Sequence, residues 1–577
     1  MPTAASAFRV CAAPLVAGAL LLSAASTAPL ARPASLDDAA IIHVLDRTGF
    51  GARVEDVARV RELGLDRYLD EQLHPEGLSD AAVRTRMADF ETLALDSSTI
   101  AERYYAPLLR ERRANRKDPN GAPVNDKEEP RSPSAAAGRL ADMDPAERAR
   151  LRELRETGRL VLDELGQQKV LRAVYSPRQL EEVLVDFWFN HFNVFAGKGP
   201  VRGYLTEYER DAIRPHVLGR FRDMLGAVAK SPAMLFYLDN WQSVDPKAAE
   251  DLTRRMDQVG NGTGMRGRVG RRRLEQRMGT AATPETVAQI KQRMPRGLNE
   301  NYARELMELH TMGVAGGYTQ ADVVDVARAF TGWTIRGPRQ GGGYAFEERR
   351  HAKGPKLVLG TTIDAGGERD GEAVLDLLAS HPSTATFIAT KLARRFVADE
   401  PPPALVTRAA ATFTSSRGDL RAVVRTILTS PEFLGVEARR AKVKTPFEFA
   451  MSALRMTRAD VTDASPIVQQ LRTLGMPLYF AQPPTGYADT AVAWVNTGAL
   501  VNRMNFAVDL TANRLRGVRV DLAELTGTTD ADAAKAWATA HLLRGQASDA
   551  TAATLARGTD LASVAALSLG SPEFQRR

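Results

Sequence analysis

The sequence LNENYARELMELHTMGVAGGYTQADVVDVARAFTGWT, residues 298–334, has the pattern of two helices joined by a glycine-rich turn. Tyr302 and Leu306 are one helical turn apart, which places both side chains on one face of the first helix. Thr319 and Asp322 have the spacing of a capping box at the start of the second helix. The stretch therefore predicts a helical hairpin with a buried apolar face.

Helical patterns also dominate the rest of the chain, whereas strand patterns are sparse. A helix followed by Ser-Pro occurs in DLRAVVRTILTSPEF (419–433) and again in DLASVAALSLGSPEF (560–574), with a weaker copy at 221–235. In each, Ser is predicted to cap the next helix and Pro to occupy its first position. We therefore predict an all-α, mostly helical protein. It is a large array of helical hairpins with at most a short β-hairpin near 344–360, between YAF and KLVLG.

Composition indicates a globular protein, since the 577-residue chain is 44% hydrophobic and 25% charged. Arg9 and the apolar run LVAGALLLSAA after it have the pattern of a secretory signal peptide, which we place at residues 1–25. We expect an exported protein, periplasmic or secreted, with no transmembrane helix after signal removal. The single cysteine, Cys11, lies in the signal, so the mature chain is expected to lack disulfides, thiol catalysis and Cys-ligated zinc.

Basic charge is concentrated in one segment. Residues 254–277 hold eight arginines and two acidic residues, a net charge of +6, against +7 for the whole chain. The glycines among these arginines, together with their mutual repulsion, predict a flexible loop suited to anionic surfaces. The predicted parts of the chain are a signal peptide (1–25), an N-terminal helical part (36–111), a mobile polar loop (112–149), a first helical core part (150–246), an arginine- and glycine-rich insertion (247–296) and a second helical core part (297–577).

Four residues are candidates for catalysis: His191, Glu305, Glu308 and His310. His191 continues the apolar stripe of the helix predicted at 180–195, and a buried imidazole needs partners for both nitrogens. It is either a core histidine bonded to a backbone carbonyl or carboxylate, or half of an acid/base pair or metal site with Glu305 or Glu308. Around a helix with about 100° per residue, the side chains of Glu305 and His310 lie roughly 140° apart. The two side chains of this one helix therefore cannot bind the same ion.

No cofactor is identified from the sequence. GTGMRG (262–267) spells G-x-G-x-x-G but follows no strand, so it does not predict a nucleotide site. A divalent metal at His191 and Glu305 is the one metal hypothesis, and its ligand set is unknown. Nucleic acid is excluded as a partner because the chain is expected to be exported and its arginine segment has no interleaved aromatic residues. The candidate binding residues are Asn190, Asn301, Trp333, Arg266, Arg268, Arg271, Arg272 and Arg273.

Several long blocks of the sequence resemble a known family. They include HVLDRTGFGA (43–52), DFWFNHFNVF (186–195), the stretch at 298–334, KVKTPFEF (442–449) and TGYADTAVAWVNTGALVNRMNFA (485–507). On these blocks the chain is identified as a member of the bacterial domain of unknown function 1800 family. The resemblance implies an exported bacterial protein and, as a partner, an exported sulfatase-like protein, because such proteins are often encoded beside members of the family.

One block departs from the family pattern. Where the family has His-Asp before G-x-K, this chain has HAKGPK (351–356). His351 is therefore expected to lack its acidic partner, which argues against His-Asp chemistry at this position.

Two functions remain open. We favour a binding or assembly protein of the cell envelope that works with an exported partner, because no complete nucleophile or metal set can be assembled from the sequence. The alternative is an envelope hydrolase that acts on a glycan or ester with a His/Glu centre between two helices. Under the binding hypothesis, the arginine segment contacts an anionic envelope surface or glycan.

Overall fold

Helices account for most of this computed structural model, which confirms the predicted fold class. The structure describes residues 37–114, 144–260, 264–278, 283–292 and 297–577. The predicted signal peptide (1–25) lies outside the described residues, and so does the predicted mobile loop (112–149) apart from the helical residues at its two ends. Within the described ranges, no helix is both long enough and apolar enough to cross a membrane.

Several of the helices that precede the arginine-rich insertion begin at capping side chains. Asp37 accepts a hydrogen bond of 2.7 Å from the Ala40 N–H, and Asp144 accepts one of 3.2 Å from the Ala146 N–H. Ser231 caps the helix that starts at the following proline, as the Ser-Pro pattern predicts. These helices are α1 (Asp38–Thr48), α2 (Val54–Leu63), α3 (Leu65–Leu73), α4 (Ala81–Arg86), α5 (Ser97–Ile100), α6 (Ala106–Ala114), α7 (Pro145–Tyr175), α8 (Gln179–His191), α9 (Leu205–Glu207), α10 (Phe221–Lys230) and α11 (Pro232–Tyr237).

The arginine-rich insertion is helical where it is described, so the predicted flexible loop is wrong for these residues. It forms α12 (Pro246–Gly260), α13 (Gly264–Met278) and α14 (Pro284–Gln292). Gly270 allows α13 to pack closely on α12, because a Cβ atom there would lie 2.7 Å from Cγ2 of Val259. Lys291 on α14 forms an ion pair with Asp257 on α12. Helix packing therefore compensates for the arginine repulsion that the loop prediction emphasised.

The second core part repeats the same capping logic. The capping box between Thr319 and Asp322 is confirmed. Ser430 accepts a hydrogen bond from the Phe433 N–H and caps the helix Pro431–Leu434, as predicted. Ser571 accepts the equivalent bond from the Phe574 N–H, but turns follow it instead of the predicted helix. The helices here are α15 (Glu300–Glu305), α16 (Gln320–Ala329), α17 (Arg369–Ser380), α18 (Pro382–Phe396), α19 (Pro403–Ser415), α20 (Leu420–Leu428), α21 (Pro431–Leu434), α22 (Pro446–Met456), α23 (Ser465–Thr473), α24 (Thr497–Thr511), α25 (Leu522–Thr526), α26 (Ala531–His541), α27 (Asp549–Leu555) and α28 (Leu561–Gly570).

Strands in the described residues form three short antiparallel ladders. YAF and KLVLG do not pair with each other as predicted. Each belongs to its own ladder, because Leu359 (φ 50°) and Gly360 (φ 74°) make a two-residue turn that folds KLV back onto the residues just after it. The ladders are β1 (Trp333–Ile335) with β2 (Tyr344–Phe346), β3 (Lys356–Val358) with β4 (Thr361–Ile363), and β5 (Asp460–Val461) with β6 (Val518–Arg519).

Several helices contain or adjoin irregular turns. The π-helical turns are Ala101–Tyr105, Tyr208–Ile213 and Leu306–Thr311. The short 3₁₀ turns are Pro75–Gly77, Gly199–Gly203, Arg214–His216, Asn240–Gln242, Glu348–Arg350, Val436–Ala438 and Ala491–Ala493. A π turn inserts a residue into a helix and is frequent at functional sites, so the turn in the central 298–334 stretch bears on the candidate site.

One hydrophobic core joins the early and late parts of the chain. Its buried residues run from Ile41 near the start of α1 to Phe574 beyond α28. Polar contacts also connect the early and late parts of the chain. His43 Nε2 lies 2.8 Å from the carbonyl oxygen of Phe433, and Arg544 donates to the carbonyl of Ala52 over 2.6 Å. The N-terminal helices are thus held in place by residues of the second core part.

Candidate functional site

Two of the predicted catalytic residues, His191 and His310, meet inside the core. His191 ends α8, and His310 lies in the π turn Leu306–Thr311; each is 2% exposed. The π turn is visible in the backbone, where the Met312 N–H donates to the carbonyl of Met307 over 2.8 Å. The extra residue in the turn changes the helical phase and directs His310 into the core, whereas a regular helix would leave it at the flank of the buried face.

A single hydrogen bond connects the two histidines. His191 Nε2 lies 3.1 Å from the backbone carbonyl oxygen of His310. Because a carbonyl can only accept, Nε2 of His191 carries the proton and Nδ1 is left with a lone pair. Nδ1 of His191 and Nε2 of His310 find no hydrogen-bond partner among the described residues. The ring centroids are 6.4 Å apart, so the pair presents two unpartnered buried nitrogens.

The surroundings of this histidine pair keep it uncharged. Burial holds the pKa of His191 well below its usual range and lowers the pKa of His310 to about 3, and the ammonium of Lys391 acts in the same direction on both. Trp188 and Phe192 pack edge-on against the His191 ring, with centroids 5.2 and 4.5 Å away. At neutral pH the pair therefore consists of two neutral bases in an aromatic pocket.

The predicted partner carboxylates do not contact the histidine pair. Glu308 forms an ion pair of 3.3 Å with Arg304. Glu305 is half-buried, and burial together with the Glu308 carboxylate raises its pKa. Among the described residues, neither carboxylate makes a hydrogen bond or ion pair with His191, whose partner is the carbonyl noted above. Nor do any three His, Cys, Asp or Glu side chains in these residues form a group that could hold a metal ion.

The other predicted binding residues outside the insertion lie in three different environments. Asn190 makes two hydrogen bonds with the backbone of Tyr487, donating to the carbonyl over 2.8 Å and accepting from the N–H over 2.7 Å. Asn301 is exposed in the first turn of α15. Trp333 is fully buried, with its ring 4.8 Å from that of Phe330. Asn190 thus holds a loop in place, and Trp333 belongs to the core.

His351 has the acidic partner that the sequence was expected to lack. Its Nε2 lies 2.9 Å from Oδ2 of Asp370, and Lys356 forms an ion pair with the same oxygen. Its Nδ1 lies 2.8 Å from the carbonyl oxygen of Thr331. Burial raises the pKa of Asp370, but hydrogen bonds from Lys356 and His351 outweigh it and lower the pKa overall. Both imidazole nitrogens are used and the group is closed to solvent, so it stabilises the packing of β3 on α17.

Three arginines of the insertion, Arg268, Arg272 and Arg273, lie on an exposed surface of α13, which we call the basic face. Met265 is 80% exposed and Val269 is 47% exposed. Exposed arginines surround these two side chains at the i, i+3, i+4 and i+7 positions that share one side of a helix. The basic face of α13 consists of Met265, Arg268, Val269, Arg272, Arg273 and Gln276.

One further predicted arginine of α13, Arg271, lies outside this face. Arg271 is half-buried and pairs with Glu275 over 3.3 Å, one helical turn away. Arg266 belongs to the same helix, and its side chain is not among those described. Gly267 is buried and Leu274 is half-buried, so the opposite side of α13 faces the protein.

Sequence reasoning missed two charged residues that shape these sites. Lys391 on α18 lowers the pKa of both histidines of the pair, and Asp370 on α17 completes the His351 group. Neither residue belongs to a local motif, and Lys391 is 81 positions after His310. Only the tertiary packing of α17 and α18 brings them into place.

These features define a class: a predominantly helical protein with a neutral histidine pair in its core and a basic helix on its surface. The model of the family described as "Protein of unknown function (DUF1800)" matches residues 43–576, and the chain belongs to this family. No curated protein and no solved structure matches the chain.

Proposed function

We propose that this protein is a binding protein of the cell envelope that docks on anionic lipid through the basic face of α13. The observation that carries the proposal is the mixture of side chains on that face, where exposed Met265 and Val269 lie among exposed arginines. Arginines alone would suit any polyanion. Exposed apolar side chains gain free energy only when they leave water, as they do at the interface of a bilayer.

The way in which α13 is attached supports this use. Close packing at Gly270 holds the helix on α12, and its buried side is occupied by Gly267 and Leu274. The packing of the opposite side of α13 therefore directs the basic face outwards. A preorganised surface loses less conformational entropy on binding than a flexible loop would.

Replacing Arg268, Arg272 and Arg273 together by Gln is expected to weaken binding to vesicles of phosphatidylcholine with about one-third phosphatidylglycerol by roughly 100-fold. Each basic residue near an anionic surface contributes about 1 kcal/mol, and the contribution decreases as salt screens it. Vesicle co-sedimentation at low and at physiological ionic strength measures both effects. Vesicles of phosphatidylcholine alone are expected to bind the wild-type protein weakly.

The matched control removes the same charge elsewhere. Arg514, Arg516 and Arg519 are exposed arginines outside the insertion, and replacing all three by Gln lowers the net charge by the same amount. This control is expected to bind anionic vesicles like the wild type. The proposal is wrong if the α13 variant sediments as the wild type does, or if the control loses binding equally.

A second substitution separates a lipid surface from a soluble acidic glycan. Replacing Met265 and Val269 by Ser keeps every arginine but removes the exposed apolar surface. It is expected to weaken vesicle binding and to leave binding to heparin, a soluble polyanion, unchanged. Equal losses for both ligands, or a loss for heparin alone, would contradict a lipid-docking role.

Assembly with an exported sulfatase-like protein is a further part of the proposal, and an apolar patch supports it. Val492, Val495, Leu500 and Val501 are 85%, 52%, 45% and 53% exposed within one short segment. Clustered apolar surface of this kind marks protein interfaces. Replacing Val492 and Val495 by Asp is expected to abolish co-elution of the two purified proteins in size-exclusion chromatography, whereas the triple α13 variant is expected to retain it. Co-elution of the Asp variant would contradict this assignment of the patch.

The alternative hydrolase has less support from the geometry. It requires a carboxylate in contact with His191, and the residues described around His191 supply a carbonyl instead. We therefore propose the binding role.

A further inference from the structure

A cluster of buried charges lies between α1, α18 and α22. Arg47 is 0% exposed, Arg395 6%, Arg577 4% and Glu448 3%. Arg395 and Arg577 both donate to the same oxygen of Glu448, Arg577 over 2.8 Å. Arg47 donates to the carbonyl of Ala438 over 2.6 Å and has no ion-pair partner among the described residues. This arginine cluster thus sets three positive charges against one negative charge.

The cluster also has more donors than acceptors. Buried N–H groups of native proteins are nearly always hydrogen-bonded. On Arg395 the unpaired nitrogens form the Nε/Nη2 edge, which is the edge that holds an oxyanion with two parallel hydrogen bonds. Within the arginine cluster, the buried nitrogens that find no hydrogen-bond partner among the described residues are Nε and Nη1 of Arg47, Nε and Nη2 of Arg395, and Nε and Nη1 of Arg577.

Arg455 is a buried arginine of the same protein that, unlike the arginines of the cluster, uses all its hydrogen-bond donor nitrogens. Arg455 is 4% exposed, and its three nitrogens are all paired. Nε donates to the carbonyl of Gly51 (3.1 Å), Nη1 to that of Val174 (2.8 Å), and Nη2 to the carboxylate of Asp56 (2.9 Å). The chain can therefore satisfy a buried arginine completely, and it does not do so in the arginine cluster.

Neighbouring charged groups do not supply the missing acceptors. Asp46 accepts the Ala52 N–H over 2.9 Å and lies 3.7 Å from Arg544. Lys442, which is 3% exposed, adds a cation whose ion pair uses Asp399. Asp186, which forms an ion pair with Lys169, acts on Arg395 through space. Asp489 acts through space on Arg395 and Arg577, and the described contacts include no hydrogen bond from either arginine to these two carboxylates. The excess of donors and of positive charge therefore belongs to the cluster itself.

We propose that the arginine cluster binds one small inorganic oxyanion, phosphate or sulfate, inside the fold. A tetrahedral oxyanion brings the negative charge that the cluster lacks and has several lone pairs for its unpaired donors. Arg47 lies on α1, Arg395 on α18, and Arg577 follows α28. The bound anion therefore joins three parts of the chain that are far apart in sequence and acts as a structural ligand.

The test follows thermal unfolding of the full chain after dialysis into a buffer free of phosphate and sulfate. Sulfate and phosphate are added separately, with ionic strength held constant by sodium chloride. A ligand that binds only the folded state raises the Tm in a saturable way, and we expect a rise of about 2 °C or more. The anion that gives the larger rise in Tm at the lower concentration is the preferred ligand. A chloride arm that gives the same rise as both oxyanions would overturn the proposal.

Matched variants assign the effect to the cluster. Arg47→Met, which removes one set of unpaired donors, is expected to lose the anion-dependent rise. Arg503→Met is the control, since Arg503 is 2% exposed but its terminal nitrogens are paired with Gln575 and with the carbonyl of Lys444. The control is expected to lower the Tm yet keep the rise. Equal anion effects in the wild type and in Arg47→Met would overturn the assignment.

A measurement on the wild type decides the question even if Arg47→Met fails to fold. The protein is loaded with sulfate or phosphate, passed through a desalting column and denatured, and the released anion is counted by ion chromatography. One anion per chain is expected. Less than about 0.1 anion per chain, together with no saturable rise in Tm, would overturn the proposal.

Discussion

At the scale of single residues, two buried histidines make stability depend on pH. Burial lowers the pKa of both His43 and His310 to about 3. The unfolded chain binds a proton at each below about pH 6.5, whereas the folded chain does so only near pH 3. The free energy of unfolding therefore keeps its full value above pH 6.5, and the two histidines lower it as the pH falls. At pH 5 each histidine is expected to lower the free energy of unfolding by about 2 kcal/mol.

Urea unfolding at several pH values between 7.5 and 5 measures this loss. His310→Gln cannot titrate, so the pH dependence of its unfolding free energy is expected to be shallower than that of the wild type. His74→Gln, at a partly exposed histidine beside Asp70, is the matched control for the loss of a histidine side chain. A His310→Gln profile parallel to the wild-type profile would show that His310 titrates normally in the folded protein.

The hydrogen bond of His191 allows a second test at this scale. His191→Leu leaves the carbonyl of His310 without a donor, and we expect it to lower the free energy of unfolding by about 1–3 kcal/mol. His191→Gln retains an amide donor and is expected to cost less. Denaturant unfolding gives both values, and vesicle binding is expected to be unchanged in both variants. Lost vesicle binding at unchanged stability would instead make His191 a functional residue.

At the scale of elements, a glycine sets the distance between α17 and β1. A Cβ atom on Gly371 would lie 2.5 Å from Cζ2 of Trp333, a ring that is fully buried and cannot move aside. Gly371→Ala is therefore expected to destabilise the protein by about 1–3 kcal/mol through overpacking. Calorimetry or urea unfolding measures the change.

The matched control is another helical glycine. In α10, a Cβ atom on Gly226 would meet only the flexible end of the Arg222 side chain, at 2.7 Å. Gly226→Ala is therefore expected to be neutral or to stabilise the helix by up to about 1 kcal/mol, since Ala has the higher helix propensity. If both alanines have the same effect, the contact with Trp333 does not determine the spacing of the two elements.

The same scale shows what the sequence can and cannot predict. Caps such as Thr319 with Asp322, and corners such as Ser430 before proline, depend on neighbouring residues and are readable in the sequence. The π turn that moves His310 depends on tertiary packing, so regular helical geometry misplaces it. The partner of His351 is Asp370, 19 positions away, and no local pattern connects them. Most helices are therefore predictable from the sequence, whereas the helices of the arginine-rich insertion and the contacts within the candidate sites are not.

At the scale of the whole molecule, the shared core predicts cooperative unfolding. Residues 36–577 form one compact unit, and its hydrophobic cluster extends from α1 to the residues after α28. Near-ultraviolet circular dichroism, which follows tertiary packing, and far-ultraviolet circular dichroism, which follows helix content, are expected to give coincident urea transitions. Two separated transitions would mean that the predicted core parts (150–246 and 297–577) unfold independently.

The long-range contacts of α1 have a consequence for vectorial synthesis on the ribosome. His43 bonds with Phe433 and Arg47 with Ala438, which are added to the chain 390 and 391 residues later. At about 5–20 residues per second, His43 and Arg47 remain without these partners for roughly 20–80 s. The nascent chain is therefore expected to require a holding chaperone during that interval. Any chain that stops before residue 433 lacks both of these partners of α1, which gives proteases a means of distinguishing truncated products from complete ones.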